Sequence, residues 1–478
     1  MIRRSATRLP WSKRRCQMRC RSCHRSWIKC GRRLHPSNLN IQASIFNISL
    51  HPFMLDLLPP EIFGRVLEIA TEAWGVGFLS TICLVSSACY GVVVSTPSLW
   101  GIIVVDKNRS ISLMNQQLAK AKETDLRITF TRKGWHSGHK NTRHFTANLA
   151  ALAHNWVRVD MPTNVISLTR WTDMRRMEAL SLRFHGGGES SAENFFAESE
   201  SSSETYTRSS LHSFAASGLP EEWMTRFLGP SITYLEIARL DRGVPASTIQ
   251  QYLSLVPNVH TLSLPVIYFL PLSASPVVVL LSHLHNLELT RVHDLTPLLL
   301  HVRAPALRTL SIRDCTGQMG PVFSQWSQAG FLPAGLQSLE LSNSLSSDDF
   351  PFFIGWLSRL PALLRLTISQ DDEVWNVPTW NVLTPALAAP DGAGPVVDGW
   401  LCPSLIHLCL DIPLRLADIL PIARARSGGP GTPPKLRSMQ AQLCSSGTAE
   451  EIAEFRSYFT EPEDARCLCL GCSFNLTI

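Results

Sequence analysis

Four cysteines and two histidines near the start of the chain have the types that bind metal: Cys16, Cys20, Cys23, His24, Cys30 and His35. Thiolates and imidazoles within tetrahedral reach of one another hold zinc. The spacing here is C-x3-C-x2-C-H-x5-C, without two C-x-x-C knuckles, so no metal and no cofactor is expected. A second set, Cys467, Cys469 and Cys472 with Cys444, could hold zinc or pair by oxidation, but terminal residues are often untethered. The acidic clusters Asp348-Asp349 and Asp371-Asp372-Glu373 read as solvated loop charge. His283, His285 and His293 flank one segment and read as surface or partly buried histidines; the first two, spaced two apart, could share a strand face. There is no G-x-S-x-G elbow, no phosphate-cradling G-x-x-x-x-G-K and no H-E-x-x-H. The residue types point to binding, not catalysis, and the chain is not expected to be an enzyme.

The composition agrees. The chain has 478 residues, 45% apolar and 17% charged, enough for a large core. Its net charge of +6 is unevenly placed: residues 1–33 hold 12 of the 44 Lys and Arg and no acid, leaving 32 basic against 38 acidic side chains elsewhere. The body is mildly acidic and the basicity lies in a leader, so nucleic-acid binding is not the main expectation. The Arg-rich leader also has the composition of a transit peptide or nuclear-import patch; alternatively it is a disordered extension, with Met54 as a natural second initiator. No apolar run is long enough to span a bilayer. Of the 13 cysteines, Cys83, Cys315 and Cys409 fall among apolar residues and read as small buried hydrophobes. A soluble chain with reduced thiols, cytoplasmic and/or nuclear, is expected.

Two kinds of element would have to position any binding residues. The first is a helical stretch. Pro59 and Pro60 suit the first turn of a helix, and Ile62, Phe63, Val66, Leu67, Ile69 and Ala70 follow at helical spacing to Thr71. Gly75 and Gly77 break the pattern. A second helix is expected over Leu79 to Val94, with Ile82, Leu84, Val85, Ala88 and Val92 inward, before Pro97-Ser98-Leu99-Trp100 closes the unit. So short a unit buries little core alone and leans on a partner. The run Leu58-Pro59-Pro60-Glu61-Ile62, a helix, Leu84-Val85-Ser86 and then Thr96-Pro97-Ser98-Leu99-Trp100 resembles the F-box, fungal members in particular. It departs where members often carry Arg-Trp-Arg, since here Ser87-Ala88-Cys89-Tyr90 stands. The resemblance implies that Leu58, Pro59, Ile62, Val66, Leu84, Val85 and Trp100 form or support a face for a Skp-type adaptor. The alternative is that they are core residues of a small helical domain, and several must be both.

The second element is a repeat. After a strand–helix passage (Ile102 to Val105, Ser110 to Lys122, Leu126 to Phe130, Asn141 to Ala153, Val157 to Val159), an apolar-x-x-apolar-x-apolar phrase recurs. It appears at Met177-Leu180-Leu182, faintly at Leu211-Phe214-Ala216, and then at Ile232-Leu235-Ile237 and Val259-Leu262-Leu264. It returns at Leu284-Leu287-Leu289, Leu307-Leu310-Ile312, Leu336-Leu339-Leu341, Leu363-Leu366-Ile368 and Leu405-Leu408-Leu410. A degraded copy ends the series at Leu436-Met439-Ala441. From Ile232 the first anchors advance by 27, 25, 23, 29, 27, 42 and 31 residues, mostly the leucine-rich repeat period. Alternation turns the leucines into a stacked core and leaves Glu236, Ser263, Glu288, Ser311, Glu340, Thr367 and Cys409 facing out as a target-binding row. The Asn-or-Cys slot after the third leucine is met by Cys315 but not by Ser344 or Asp371.

The expected fold is therefore α/β: a small all-helical F-box unit followed by an irregular leucine-rich repeat solenoid with a curved parallel sheet. Its parts are a basic leader (1–53), an F-box-like domain (54–105), the array (106–445) and a C-terminal tail (446–478). The array carries a Gly/Ser/Glu-rich disordered insertion at 185–210 and a long loop at 371–400, where Trp375, Trp380 and Trp400 are binding anchors or core plugs. By resemblance the chain would be a substrate-recognition adaptor of a Skp–cullin–F-box ubiquitin ligase, bound to a Skp-type adaptor and the cullin core and holding an unknown protein target. The outward glutamates suggest a basic target. The alternatives are a repeat scaffold with no ubiquitin link and a zinc or nucleic-acid binder acting through the basic arm.

Overall fold

The computed structural model describes residues 59–105, 110–131, 145, 147–162, 176–183, 210–239, 243–270, 277–328, 335–370, 380–388, 400–427, 432–443, 448–459 and 475–477. The basic leader with its cysteines, the 185–210 insertion up to residue 209, Asp371, Trp375 and the tail cysteines lie outside those residues.

The repeated phrases are strands. In chain order the strands are β1 (Ile102–Val105), β2 (Leu126–Phe130), β3 (Trp156–Pro162), β4 (Ala179–Arg183), β5 (Ser213–Ser217), β6 (Tyr234–Ala238), β7 (Val244–Pro245), β8 (Thr261–Pro265) and β9 (Phe269–Leu270). They continue as β10 (Val279–Leu280), β11 (Asn286–Thr290), β12 (Val302–Arg303), β13 (Thr309–Arg313), β14 (Ser338–Ser342), β15 (Arg365–Ser369), β16 (His407–Leu414), β17 (Ser438–Leu443) and β18 (Asn475–Thr477). Fourteen of them form one sheet in sequence order, with β7–β9 and β10–β12 as separate short pairs. Every neighbouring pair from β1 to β17 is parallel, and only β18 joins antiparallel, covering the edge of β17.

The phrase sets the register. Leu262 pairs with Leu287, Leu287 with Leu310, Leu310 with Leu339, Leu339 with Leu366 and Leu366 with Leu408. The third apolar position aligns in the same way, and both rows are buried in one continuous core with the inner faces of the connecting helices. Since each repeat buries its leucines only against its neighbours, the sheet is stabilised as a stack.

The strands β6, β8, β11, β13 and β14 are each followed by a left-handed residue: Arg239, Val266, Arg291, Asp314 and Asn343 all have positive φ. None is glycine, and the conformation is disfavoured for Val and Arg. A repeated bond holds it. Each of these residues donates its N–H to the carbonyl that ends the next strand, as from Arg291 to Arg313 (2.8 Å), Asp314 to Ser342 (2.7 Å) and Asn343 to Ser369 (3.0 Å). The residue after it fills the slot beneath. There Cys315 Sγ accepts the Val292 N–H at 3.4 Å, and Ser344 Oγ accepts the Cys315 N–H at 3.1 Å. Ser344 thus does the job for which the sequence pattern excluded it: a hydroxyl oxygen reaches the same neighbouring N–H as the thiol sulfur.

Three further expectations change. The single helix over Leu79 to Val94 is two, Gly77–Cys83 and Ser87–Ser95, separated at Leu84-Val85-Ser86. Ser86 is extended and its Oγ accepts the Cys89 N–H at 3.1 Å, so it caps the second helix and ends continuity with the first. The 371–400 loop contains a helix, Trp380–Ala388, because Leu383 and Leu387 fall one turn apart and both enter the core. Trp400 is a core residue as well. The 446–478 tail carries a helix, Ala449–Ser457, opened by a Thr448/Glu451 capping box and anchored by buried Phe455.

The chain divides into two compact units. Of the first, which runs to Leu67, the structure describes the opening turns of the helix Pro60–Trp74, with Leu67 buried and the Phe63 N–H bonded to the Pro59 carbonyl. The second, from Glu68, holds the remaining helices and the whole sheet. In it Gly101 must be glycine: an ideal Cβ would sit 2.5 Å from the Asp125 carbonyl oxygen.

Candidate functional site

The outward row of the sheet is continuous. Glu236 pairs in register with Ser263, Ser263 with Glu288, Glu288 with Ser311, Ser311 with Glu340, Glu340 with Thr367 and Thr367 with Cys409. All seven expected residues therefore stand side by side, about 4.8 Å apart from strand to strand. The same row runs on through Asp160, Ser181 and Ala215 on one side and Gln440 on the other.

The glutamates are not bare. Arg313, two residues along β13 from Ser311, forks onto Glu340 with Nε–Oε1 and Nη2–Oε2 both at 2.8 Å, and reaches Glu288 at 3.4 Å. Ser311 Oγ donates to Glu340 at 3.2 Å. Tyr234 donates its phenol to Glu236 at 2.8 Å. Burial, the Glu236 bond and the charges of Glu236 and Glu288 push that phenol up to about 12. Arg183 forks onto Asp160, which also accepts from Ser181 at 3.0 Å. Exposed ion pairs contribute only ~0–1 kcal/mol, so these bonds fix side-chain direction more than they stabilise the fold. The row is a preset array of acceptors with two cations laid across it. The expectation of a basic target weakens accordingly, because two of the four carboxylates are already matched by arginine forks.

Sequence reasoning missed Arg183, Arg313 and Asp160. A signal was present: Arg183 and Arg313 are the last residues, on the outward parity, of strands whose leucines were recognised, and Asp160 directly follows the strand read at Val157 to Val159. Cys409 is half-buried, and burial with nearby Asp411 and Glu340 pushes its thiol up to about 11, so it is a neutral lining group and not a nucleophile. Among the described residues no His, Cys, Asp and Glu group is arranged to hold a metal ion. His285 and His260 meet edge to face at 5.3 Å just before their strands, and His293 stacks on Tyr268 at 4.4 Å. No described helix is long and apolar enough to cross a membrane.

At the start of β16, His407 Nδ1 lies 2.7 Å from Ser438 Oγ. Burial and the charges of Arg365 and Arg437 hold its imidazole below the usual 6.5. The unfolded chain therefore takes up this proton first as pH falls. The stability contribution is complete above pH ~6.5 and is lost towards the lower folded value. His407→Gln should flatten the melting temperature between neutral and mildly acidic pH; an unchanged slope would exclude this group as a source.

The helical residues divide by exposure. Leu58 lies outside the described residues, and Pro59 is exposed. In the first unit Ile62 and Val66 are 52% and 51% exposed, one turn apart, while Leu67 is buried. In the second unit Leu84 is 87% and Val85 53% exposed, which corrects the expectation that they point inward: they occupy the turn between helices, and Leu79, Cys89 and Val93 supply the interior. Trp100 is engaged within the chain. Its indole N–H donates to the Val93 carbonyl at 2.9 Å and the Lys120 ammonium sits 4.0 Å over the ring. Gln117, buried, donates to the carbonyls of Trp100 (3.0 Å) and Ile102 (2.7 Å), joining the Leu-Trp ending to the first strand.

No family model matches the chain, and no curated protein matches it. Among solved structures, a leucine-rich repeat protein of Leptospira interrogans is similar over 65% of this chain and 72% of its own, at 10% identity and a TM-score of 0.31. A likeness of that size carries no weight by itself, and the repeat assignment stands on the register. Thirteen parallel strands with aligned buried apolar residues, mostly leucine from β4 on, make the chain a mixed α/β repeat protein of leucine-rich-repeat-like architecture, with a polar sheet face suited to protein interaction.

Proposed function

We propose that the chain is a substrate-recognition adaptor of a Skp–cullin–F-box ubiquitin ligase. The helical segment would bind a Skp-type adaptor and the sheet face would hold a protein target. One observation carries the reading: in a segment that resembles the F-box, the Leu84-Val85 pair that the resemblance assigns to the partner is turned out to solvent, as are Ile62 and Val66. Apolar side chains at such exposure are the ordinary mark of an interaction surface. The chain would supply no catalytic group; it would raise the effective concentration of the target beside a ubiquitin-loaded enzyme.

The test is co-purification of the full chain with a Skp-type adaptor. Truncating apolar anchors costs on the order of 1–2 kcal/mol each, so Leu58→Ala with Ile62→Ala should weaken binding at least tenfold, and Leu84→Ala with Val85→Ala similarly. Equal binding by both double variants excludes the docking assignment. The second reading, a repeat scaffold whose helices cap the sheet, draws on the Gln117 and Trp100 bonds that tie the Leu-Trp ending to β1. It would stand if the chain ignored the adaptor while retaining a target.

A further inference from the structure

The N-terminal ends of β13 to β17 carry a different chemistry from the middle row. Arg308, Gln337, Leu364, Ile406 and Arg437 occupy consecutive rungs there. Gln337 N–H donates to the Arg308 carbonyl (2.8 Å), Leu364 to Gln337 (2.9 Å), Ile406 to Leu364 (3.0 Å) and Arg437 to Ile406 (2.8 Å). One residue further in, Arg365 and His407 are register partners. Arg308, Arg365 and Arg437 are all exposed.

These arginines differ from three others on the sheet. Arg127, Arg183 and Arg313 each hold a carboxylate. Among the described residues, no carboxylate pairs with Arg308, Arg365 or Arg437. Neighbouring strands are ~4.8 Å apart, so Arg365 and Arg437 lie within about a Debye length, ~8 Å at physiological salt, of His407. Their charges are felt there, since both hold the imidazole down and no acid offsets them. A cluster of like charges left without counter-charge costs stability, and a ligand that brings the counter-charge recovers it.

We propose that this edge, formed by Arg308, Arg365, Arg437 and His407 around Leu364 and Ile406, binds an extended acidic polypeptide segment. The cations recognise its carboxylates and the two aliphatic side chains, partly exposed between them, receive an apolar residue. The aliphatic lining is what favours a peptide over a nucleic acid, which would call for aromatic stacking platforms along a basic groove. The site is independent of adaptor docking and assigns part of the target surface an acidic ligand, the reverse of the charge suggested by the glutamate row.

The experiment measures binding of a fluorescent Glu-rich peptide with a single leucine to the full chain by anisotropy. The wild type should bind with an affinity that falls as salt rises. Arg365→Glu with Arg437→Glu should weaken it roughly tenfold or more, taking each reversed contact as ~1 kcal/mol. The neutral pair Arg365→Gln with Arg437→Gln should weaken it several-fold, which guards against misfolding of the reversed variant. Arg291→Glu, at the opposite end of β11 beside Asp314, should change nothing. Unaltered affinity in the glutamine pair overturns the proposal. So does an equal loss in Arg291→Glu, which would mean bulk charge alone, and so does tighter binding of a single-stranded RNA of matching charge.

Discussion

Asp349→Ala will be among the most destabilising single changes on the surface-facing turns of this protein, lowering stability by about 2–3 kcal/mol, because the buried Gly320 N–H and the part-buried Ser346 N–H lose a charged acceptor. The side chain is 4% exposed. Its Oδ2 accepts the Ser346 N–H at 2.9 Å and the Ser346 hydroxyl at 2.6 Å, closing a capping box at the turn before the helix Phe350–Leu357. Its Oδ1 reaches across to the preceding repeat and accepts the Gly320 N–H at 2.6 Å, in the first turn of the helix Met319–Trp326. One carboxylate therefore serves the positive ends of two helices in successive repeats. The expectation of a solvated loop charge holds for exposed Asp348 and fails for its neighbour. Asp349→Asn keeps an acceptor and loses the charge, so it should cost about half as much. Since repeat arrays need not melt in one step, the sharper readout is amide exchange. The Gly320 and Ser346 amides should lose protection together in Asp349→Ala. A variant within ~0.5 kcal/mol of wild type, the range of an ordinary surface substitution, with Gly320 still protected, would show that the shared cap contributes nothing.

How far the sequence revealed this architecture depends on which interactions repeat. The leucine phrase is redundant: a substitution as severe as Ala216 or Ala441 for the third leucine leaves the strand in place, because register is held by backbone rungs to both neighbours. That redundancy made every strand from β4 to β17 in the main sheet legible, together with the seven-residue outward row. The left-handed turn after each strand was not legible. A glycine, Gly218, announces it only after β5; after β6, β8, β11, β13 and β14 it is occupied by Arg, Val, Arg, Asp and Asn in turn, since the conformation is imposed by the neighbouring carbonyl and not by local preference. Charge pairing was hidden for a related reason. Arg313 and Glu340 are 27 residues apart in sequence and meet only because consecutive strands stack in register. The helical segment was partly legible. Its apolar spacing located Pro60–Trp74, but the break at Ser86 turns on a cap whose bond is made to Cys89, three residues on. A Ser-x-x-Asp phrase at Ser346 gave the same kind of signal for Asp349 and went unread.

The charge with the largest expected effect is one that no sequence pattern marks. Arg426 follows the helix Leu416–Ala425 and is 1% exposed. Its guanidinium donates from Nε to the Leu387 carbonyl (3.3 Å), from Nη1 to Cys402 (3.3 Å) and from Nη2 to Leu401 (2.5 Å). It thus joins the end of the helix Trp380–Ala388, where the unpaired carbonyls and the negative pole of the helix lie, to the turn that leads into β16. No carboxylate is among its bonding partners. The adjacent Cys402 thiol is pushed up to about 12 by burial and stays neutral at physiological pH. Burial also pulls the Arg426 guanidinium down from its usual value. Two terms oppose each other here. Desolvating a lone cation costs several kcal/mol, and three charge-assisted bonds return ~1.5–3 kcal/mol each. The Cys402 carbonyl also accepts the Leu405 N–H at 3.1 Å, but among the described residues the Leu387 and Leu401 carbonyls would be left without a donor, so we expect the bonds to win. Arg426→Met, which keeps much of the volume, should lose about 2 kcal/mol or more through the abandoned carbonyls, and Arg426→Ala about 3–5 kcal/mol once the cavity is added. The loss should show in the denaturation midpoint and in faster amide exchange across residues 400–427, with the strands at the other end of the sheet unaffected. A methionine variant as stable as the wild type would mean that desolvation cancels the bonds, and that the arginine stands there at no net gain in stability.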